Sequence, residues 1–325
     1  MFAMNYLLLP IIFILTVAIT GVIEARLIPF LSSRAQQPIY EDGPSWHIKK
    51  SGTPTMGGLA FVISISVILI LYGVFLINSK TDISSGINIL ITVIFALANA
   101  AVGIFDDIMK LMRKKNAGLT PMQKLGLQAV ISVIFLMCRQ HLMTDGTTVT
   151  LGSFGIDLGI FYYFASIFLL LGIINCANLT DGIDGLASSV ATTIGAVFLL
   201  LGPSSHAGTV LSLSLIGGAL GFLYFNATPA RVFMGDTGSL FLGATVAGIA
   251  FAINKPLTVI PIGAVYVIEG VSVIMQVASF KLTGRRILKM APLHHHLEKC
   301  NVDENRICVL AVITTAIFSC IAIFI

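Results

Sequence analysis

About ten runs of roughly twenty apolar residues make up most of this chain, with short polar loops between them. A helix of that length crosses the hydrocarbon core of a bilayer. Lipid offers backbone N–H and C=O groups no partner, so the helix must satisfy them itself. The runs fall near residues 3–22, 57–77, 87–105, 124–142, 160–178, 186–202, 208–225, 238–254, 258–280 and 305–325. Composition agrees: 56% of residues are hydrophobic and 10% are charged, against about 25% charged in an ordinary soluble domain. The chain therefore reads as an all-α polytopic integral membrane protein, with residues 1–325 as a single membrane-embedded domain. Its apolar start has neither a basic leading segment nor a small-residue cleavage site, so it reads as a retained first span.

Several function classes drop out. No basic arm with interleaved aromatics is present, which argues against nucleic acid. Neither GxGxxG nor GxxxxGK occurs, so a Rossmann fold and a P-loop motor are unsupported. The five cysteines form no CxxC pair and read as small apolar fillers.

The basic residues set the orientation. Sixteen of the 19 Lys and Arg fall in the loops after spans 1, 3, 7 and 9, and three fall on the other side. Positive loops stay in the cytoplasm, which puts both termini outside. The loop after span 5 is cytoplasmic by parity. Residues 143–159, on the outer side, alternate weakly and suggest a small hairpin.

Against this background one stretch is out of place. Asn178-Leu179-Thr180-Asp181-Gly182-Ile183-Asp184-Gly185 lies between two membrane-length apolar runs. A charge facing lipid at mid-bilayer costs about 3 kcal/mol, so these carboxylates belong in a wet or protein-lined cleft at a helix end. On a helix, Asn178, Asp181 and Asp184 share one face by their spacing of three. The bland alternative is a capping loop, since Asn and Asp are ordinary caps.

Other polar groups reach the same cytoplasmic side. Asp106 and Asp107 end span 3, and Lys110 is placed to pair with Asp106. Asp236 opens span 8 between Gly235 and Gly238, where it is either a cap or a metal-ligating carboxylate beside a phosphate. Lys50, Thr53 and Thr55 offer an ammonium and hydroxyls suited to phosphate. His294, His295 and His296 are consecutive and fan around a helix, so they do not share one zinc but can hydrogen-bond phosphate or sugar oxygens. Glu269 is an ionisable residue inside span 9, with Gln276 on the same face.

The strings KKSGTPTMGG, FDDIMKL with GLTPMQK, NLTDGIDGLA, FNATPARVFMGDTGSL, SVIMQVASFK and APLHHHLE occur in that order. Together they resemble the signature blocks of the phospho-N-acetylmuramoyl-pentapeptide transferases, the MraY translocases. These belong to the wider polyprenyl-phosphate sugar-1-phosphate transferases. The resemblance implies a Mg2+-dependent transfer of phospho-MurNAc-pentapeptide from UDP-MurNAc-pentapeptide to undecaprenyl phosphate, yielding lipid I and UMP for peptidoglycan. It implies a cytoplasmic-face cleft in a bacterial inner membrane, with membrane lipid around it and a homodimer as an assembly open to it. Carried over residue by residue, Asp236 is the expected Mg2+ ligand. Asp106 is the expected base, with Asp107 beside it and His294 among the catalytic groups. Asn178, Asp181, Asp184 and Asn226 are expected to line the nucleotide pocket. Lys50, Thr55, Lys124, Gln276, His295 and His296 are expected to contact uridine, phosphates or sugar. Ile183 stands where the family often has Leu.

Two rivals remain. A sister enzyme moving an N-acetylhexosamine-1-phosphate shares the Asp blocks, but APLHHHLE argues for the muramoyl donor. A secondary transporter would place its acids near mid-bilayer and show inverted repeats. Here the acids gather at span ends, and no repeat is visible.

Overall fold

A computed structural model describes residues 2–35, 50, 52–113, 118–143, 146–151, 154–201 and 205–324. Lys49 and Ser51 of the first motif, and Lys114 and Lys115, lie outside the described residues. The helices are α1 (Phe2–Ser32), α2 (Leu59–Asn78), α3 (Ile83–Arg113), α4 (Pro121–Leu142), α5 (Phe161–Thr180), α6 (Leu186–Leu201), α7 (His206–Asn226), α8 (Gly235–Ala252), α9 (Val259–Ile262), α10 (Ala264–Thr283), α11 (Leu293–Glu298) and α12 (Glu304–Ser319). A two-stranded antiparallel hairpin, β1 (Thr148–Leu151) and β2 (Phe154–Asp157), fills the loop where alternation suggested one.

Among the described residues, nine helices are long and apolar enough to cross a membrane. The sixth expected span is shorter: α6 has 16 residues, or about 24 Å at 1.5 Å per residue. The ninth expected span is not one helix. Pro261 has no N–H to continue a ladder, and Gly263 leaves helical geometry at φ −88°, ψ 25°. The chain breaks there and restarts as α10. By contrast, α3 runs past its expected end to Arg113. Asp106 and Asp107 therefore sit inside a helix, not at its terminus.

The core gathers on α8. Its sequence, GDTGSLFLGATVAGIAFA, is apolar or small on every side, which suits a helix buried all round. From Thr237 to Ala252 every residue is buried. Small residues let helix backbones approach closely where lipid supplies no hydrophobic drive. Gly103 of α3 shows the consequence: a Cβ there would overlap the backbone of Asp236 and Thr237. That contact sets the next turn of α3, with Asp106 and Asp107, beside the start of α8. On the other flank, Thr16 and Thr20 of α1 seat against Gly217 and Gly221 of α7.

Because α3 runs antiparallel to α4 and α8, the bundle has two distinct polar ends. At one end Arg139 is 1% exposed. It donates to Asn88 Oδ1 at 2.8 Å, Phe251 O at 2.7 Å and Asn254 Oδ1 at 3.3 Å. A buried guanidinium needs such partners, and here they tie three helix ends together. The other end holds the acidic groups.

Candidate active site

Three polar clusters meet at that end, joined by the 178–185 segment. The first is built on α3, α4 and α8. Asp236 lies in the first turn of α8. Its Oδ2 meets Lys124 Nζ at 2.5 Å and Lys110 Nζ at 3.0 Å, and its Oδ1 accepts from Asn178 Nδ2 at 3.0 Å. Lys124 is delivered by local sequence. Thr120 caps α4, Pro121 starts it, and Gln123 closes a capping box by accepting from Thr120 N at 3.0 Å. Asp106 is 1% exposed. Its Oδ1 accepts from Leu119 N at 2.7 Å, which holds the loop before α4, and its Oδ2 meets Lys110 Nζ at 2.7 Å.

Asp107 has a different task. It accepts from the main-chain N–H of Asp236 at 3.1 Å and of Thr237 at 2.9 Å, and from the Thr237 hydroxyl at 2.7 Å. Met234, at the N-cap position of α8, makes no side-chain bond. A carboxylate from another helix therefore caps α8, where free N–H groups and the helix dipole favour negative charge. Asp236 itself is not the cap. Thr55 sits by the same helix start. Its segment pairs with the 233–234 backbone, through Phe233 N to Pro54 O at 2.8 Å and Gly57 N to Phe233 O at 2.9 Å.

The second cluster gathers Lys50, Asp184 and Glu304. Lys50 Nζ lies 2.7 Å from Asp184 Oδ1 and 2.7 Å from Glu304 Oε1. Burial pulls the Lys50 ammonium down. Its bonds to Asp184 and Glu304 outweigh that and leave it above its ordinary value. Asp184 Oδ2 also accepts from Ala230 N at 2.9 Å.

The third cluster surrounds the histidines. His294 is fully buried, with its ring Nδ1 3.2 Å from Glu269 Oε2 and its main-chain N–H on the same carboxylate at 3.2 Å. His295 Nδ1 meets Glu298 Oε2 at 2.6 Å. His296 Nδ1 accepts from Lys289 N at 3.1 Å. The three rings fan apart around α11, as consecutive residues of a helix must. Glu269 thus positions the buried histidine.

Asn178, Asp181 and Asp184 do not share a face. α5 stops at Thr180, and Asp181 takes φ −80°, ψ 53°. Past that point the helical period no longer applies. Asn178 turns to Asp236, the Gly182 backbone lies against the His294 ring, and Asp184 turns to Lys50. One short turn therefore contributes to all three clusters. Asp181 is half-buried. Burial, then the charges of Asp236, Asp107 and Asp184, push its carboxyl up to about 8.

Asn226 departs further from expectation. It is 2% exposed. Its Oδ1 accepts from Gly185 N and Ser188 Oγ, each at 3.1 Å, and its Nδ2 donates to Val232 O at 3.0 Å. It staples the 185–188 turn to the loop after α7. Gln276 accepts from Ile287 N and Leu288 N and donates to Leu288 O, so its amide secures the loop after α10. Glu304 was not legible in advance. As an acid in the first turn of the last long helix, it reads as an ordinary helix start.

A divalent cation suits the first cluster. One carboxylate oxygen each from Asp106, Asp107 and Asp236 lies within 4.8 Å of the others. Asp106 Oδ2 is buried without a well-directed hydrogen bond. All-oxygen donors of this kind match a hard cation.

Comparison with known proteins agrees with this geometry. A family model described as Glycosyl transferase family 4 matches residues 89–254. A phospho-N-acetylmuramoyl-pentapeptide-transferase signature matches residues 50–62. The chain is 42% identical over 318 residues to a phospho-N-acetylmuramoyl-pentapeptide-transferase of Shouchella clausii, covering 97% of this chain and 96% of that one. It is 40% identical to one of Clostridium perfringens, covering 95% and 94%, and 40% identical to one of Halalkalibacterium halodurans, covering 96% and 95%. Identity at this level along nearly the whole length, with the acidic and histidine motifs gathered at one end of a helical membrane bundle, establishes that the chain belongs to the phospho-N-acetylmuramoyl-pentapeptide-transferase family.

Proposed function

We propose that this protein transfers phospho-MurNAc-pentapeptide from UDP-MurNAc-pentapeptide to undecaprenyl phosphate, releasing UMP and forming lipid I. The single observation that carries this reading is the Asp106–Asp107–Asp236 group with Lys110 and Lys124 at one end of the bundle. We place that end at the cytoplasmic face of the bacterial inner membrane, from the basic loops that flank it. A water-borne donor and a lipid acceptor can both reach it.

Asp236, Asp106 and Asp107 would hold Mg2+ there, with Asp236 the chief ligand. The cation would supply charge neutralisation on the diphosphate and on the departing UMP. The chain's own groups do the rest, since phosphoryl transfer needs mostly positioning and charge compensation. An acceptor phosphate oxygen attacks the sugar-side phosphorus, and the bond from that phosphorus to the UMP oxygen breaks. Lys110 and Lys124 now bridge the carboxylates, and they are placed to follow negative charge onto the phosphates. That movement frees Asp106 Oδ2 to accept the acceptor's proton. Lys50, held by Asp184 and Glu304, and Thr55 bind donor phosphate. His295 and His296 hydrogen-bond the sugar, and Glu269 keeps His294 in place.

The test is UMP release by purified protein in detergent. UDP-MurNAc-pentapeptide with undecaprenyl phosphate and Mg2+ should release UMP, and EDTA should stop it. Release with UDP-GlcNAc but not with the muramoyl donor would assign the protein to a sister hexosamine transferase. Release with neither donor would end the transferase reading.

A further inference from the structure

The acidic site lies at one end of α5, and the β1–β2 hairpin lies at the other. α5 has 20 residues, or about 30 Å at 1.5 Å per residue, which matches the hydrocarbon thickness of a bilayer. With Thr180 at one boundary, Phe161 is at the other. Only residues 158–160 separate β2 from α5, so the hairpin meets the headgroup layer of the leaflet opposite the site. It is also tied to the start of α5. Leu158 N donates to Thr147 O at 3.1 Å, and Phe161 N to Leu158 O at 3.1 Å. Gly159, at φ 50°, donates its N–H to Asp157 Oδ1 at 3.0 Å.

The hairpin has two unlike faces. Residues opposite one another in an antiparallel pair point to the same side, and neighbours along a strand alternate. Val149 pairs with Ile156, and Thr148 pairs with Asp157. Val149, Ile156 and Phe154 thus share one face, and Thr148, Thr150 and Asp157 share the other. Asp157 is the only charged residue between Gly146 and Thr180, and the Thr147 hydroxyl donates to it. The apolar face is covered only at its root: Val149 is 8% exposed, Ile156 52% and Phe154 75%. A two-stranded hairpin with nothing against its apolar face is marginally stable at best in water.

The lipid-facing side of α5 begins at the same level. Phe161, Phe164 and Phe168 follow the spacing of one helix face and are largely exposed on a helix long and apolar enough to span a membrane. Ile160, between the two elements, is largely exposed as well. Tyr163, in the first turn of α5, donates its hydroxyl to Gln140 Oε1 at 2.9 Å. Amphipathic rings of this kind gather where the bilayer meets water. We propose that the hairpin lies flat in the headgroup layer of the leaflet opposite the acidic site, with Phe154 and Ile156 inserted among the lipid chains. The partner of its apolar face is the bilayer surface, because that face carries no charge and adjoins phenylalanines that already meet lipid. Held at that depth, α5 presents the 178–185 turn at the other boundary.

Trp46 is the only tryptophan of the chain, so a single fluorescent reporter can be placed. Trp46→Phe/Phe154→Trp and Trp46→Phe/Thr150→Trp proteins are reconstituted in phosphatidylcholine–phosphatidylglycerol vesicles. One set of vesicles carries lipid brominated high on its chains, and another carries lipid brominated near the chain ends. Acrylamide reports access from water. The reporter at position 154 should emit at shorter wavelength than the one at 150. It should lose most of its emission to the shallow bromines, less to the deep ones and little to acrylamide. The reporter at 150, on the polar face, should be quenched mainly by acrylamide. Trp46→Phe/Ile156→Trp repeats the measurement if the 154 variant does not fold. A 154 reporter as open to acrylamide as the one at 150, and untouched by bromine, places the hairpin in water and overturns the proposal. Protection from both quenchers also overturns it, because protein, such as a second copy of this chain, would then cover the face.

Discussion

Asp107 of α3 caps α8 at Thr237, accepting both its main-chain N–H, at 2.9 Å, and its hydroxyl, at 2.7 Å. The pair couples stability to the site, because Asp236 is the residue immediately before Thr237. Asp107→Ala should lower the thermal midpoint by the equivalent of about 1–2 kcal/mol, the usual cost of losing a cap. Asp107→Asn should recover part of it. Scanning fluorimetry in detergent with EDTA reads this apart from any metal effect. Equal midpoints for Ala and wild type would remove the capping role.

Lys124 Nζ sits on the Asp236 and Asp106 oxygens that a divalent cation would take. Lys124→Ala should therefore bind Mn2+ more tightly than wild type in calorimetry, by about tenfold for loss of one close charge. UMP release should fall in the same variant, because the phosphates lose their ammonium. Asp236→Asn should move both readouts down. If Lys124→Ala binds Mn2+ more weakly, Lys124 does not oppose the cation.

Gly182 lies against the buried His294 ring, and a Cβ at Gly182 would overlap its Nε2. His294 is fully buried and cannot swing away. Gly182→Ala should cost about 1–3 kcal/mol, as overpacking does, together with most UMP release. Adding His294→Ala should restore much of the thermal midpoint but not the activity. If the double variant is no more stable than Gly182→Ala, the clash lies elsewhere.

Asp181 gives the ligand-free protein a pH dependence. Its carboxyl lies near 8 when folded, against an ordinary 3.8. For an acid shifted upward, the stability contribution is complete below the unfolded value and is lost as pH rises through the folded one. The thermal midpoint in EDTA should therefore decline from about pH 5, most steeply between the two values, and level off as pH passes about 8. Asp181→Asn should flatten that decline. An equally steep profile in the variant would clear Asp181 of responsibility.

The residues named from motifs do come together in the fold, but not in the grouping that their spacing suggested. Asp106, Asp236, Lys124 and Asn178 do converge on one carboxylate cluster. Asn226 comes from the same signature strings yet is buried and spent on Gly185 and Val232. Motif membership identifies a residue that matters without saying whether it faces a ligand or holds the turn that does. Glu304 is the converse case: nothing in its local sequence distinguishes it, and only α12 reaching back to Lys50 does.

What the amino-acid string settled unaided was membrane residence, the helical class, the hairpin between α4 and α5, and the family. Hydropathy, turn chemistry and short motifs are local properties that survive without neighbours. What only the folded chain decided was direction. α5 ends at Thr180, so Asn178 and Asp184 point to different partners. Gly103 lets α3 and α8 touch, so Asp106 and Asp107 reach Asp236. Where a helix stops, and how closely two backbones approach, depend on contacts between distant segments, and no window of sequence contains both sides of such a contact.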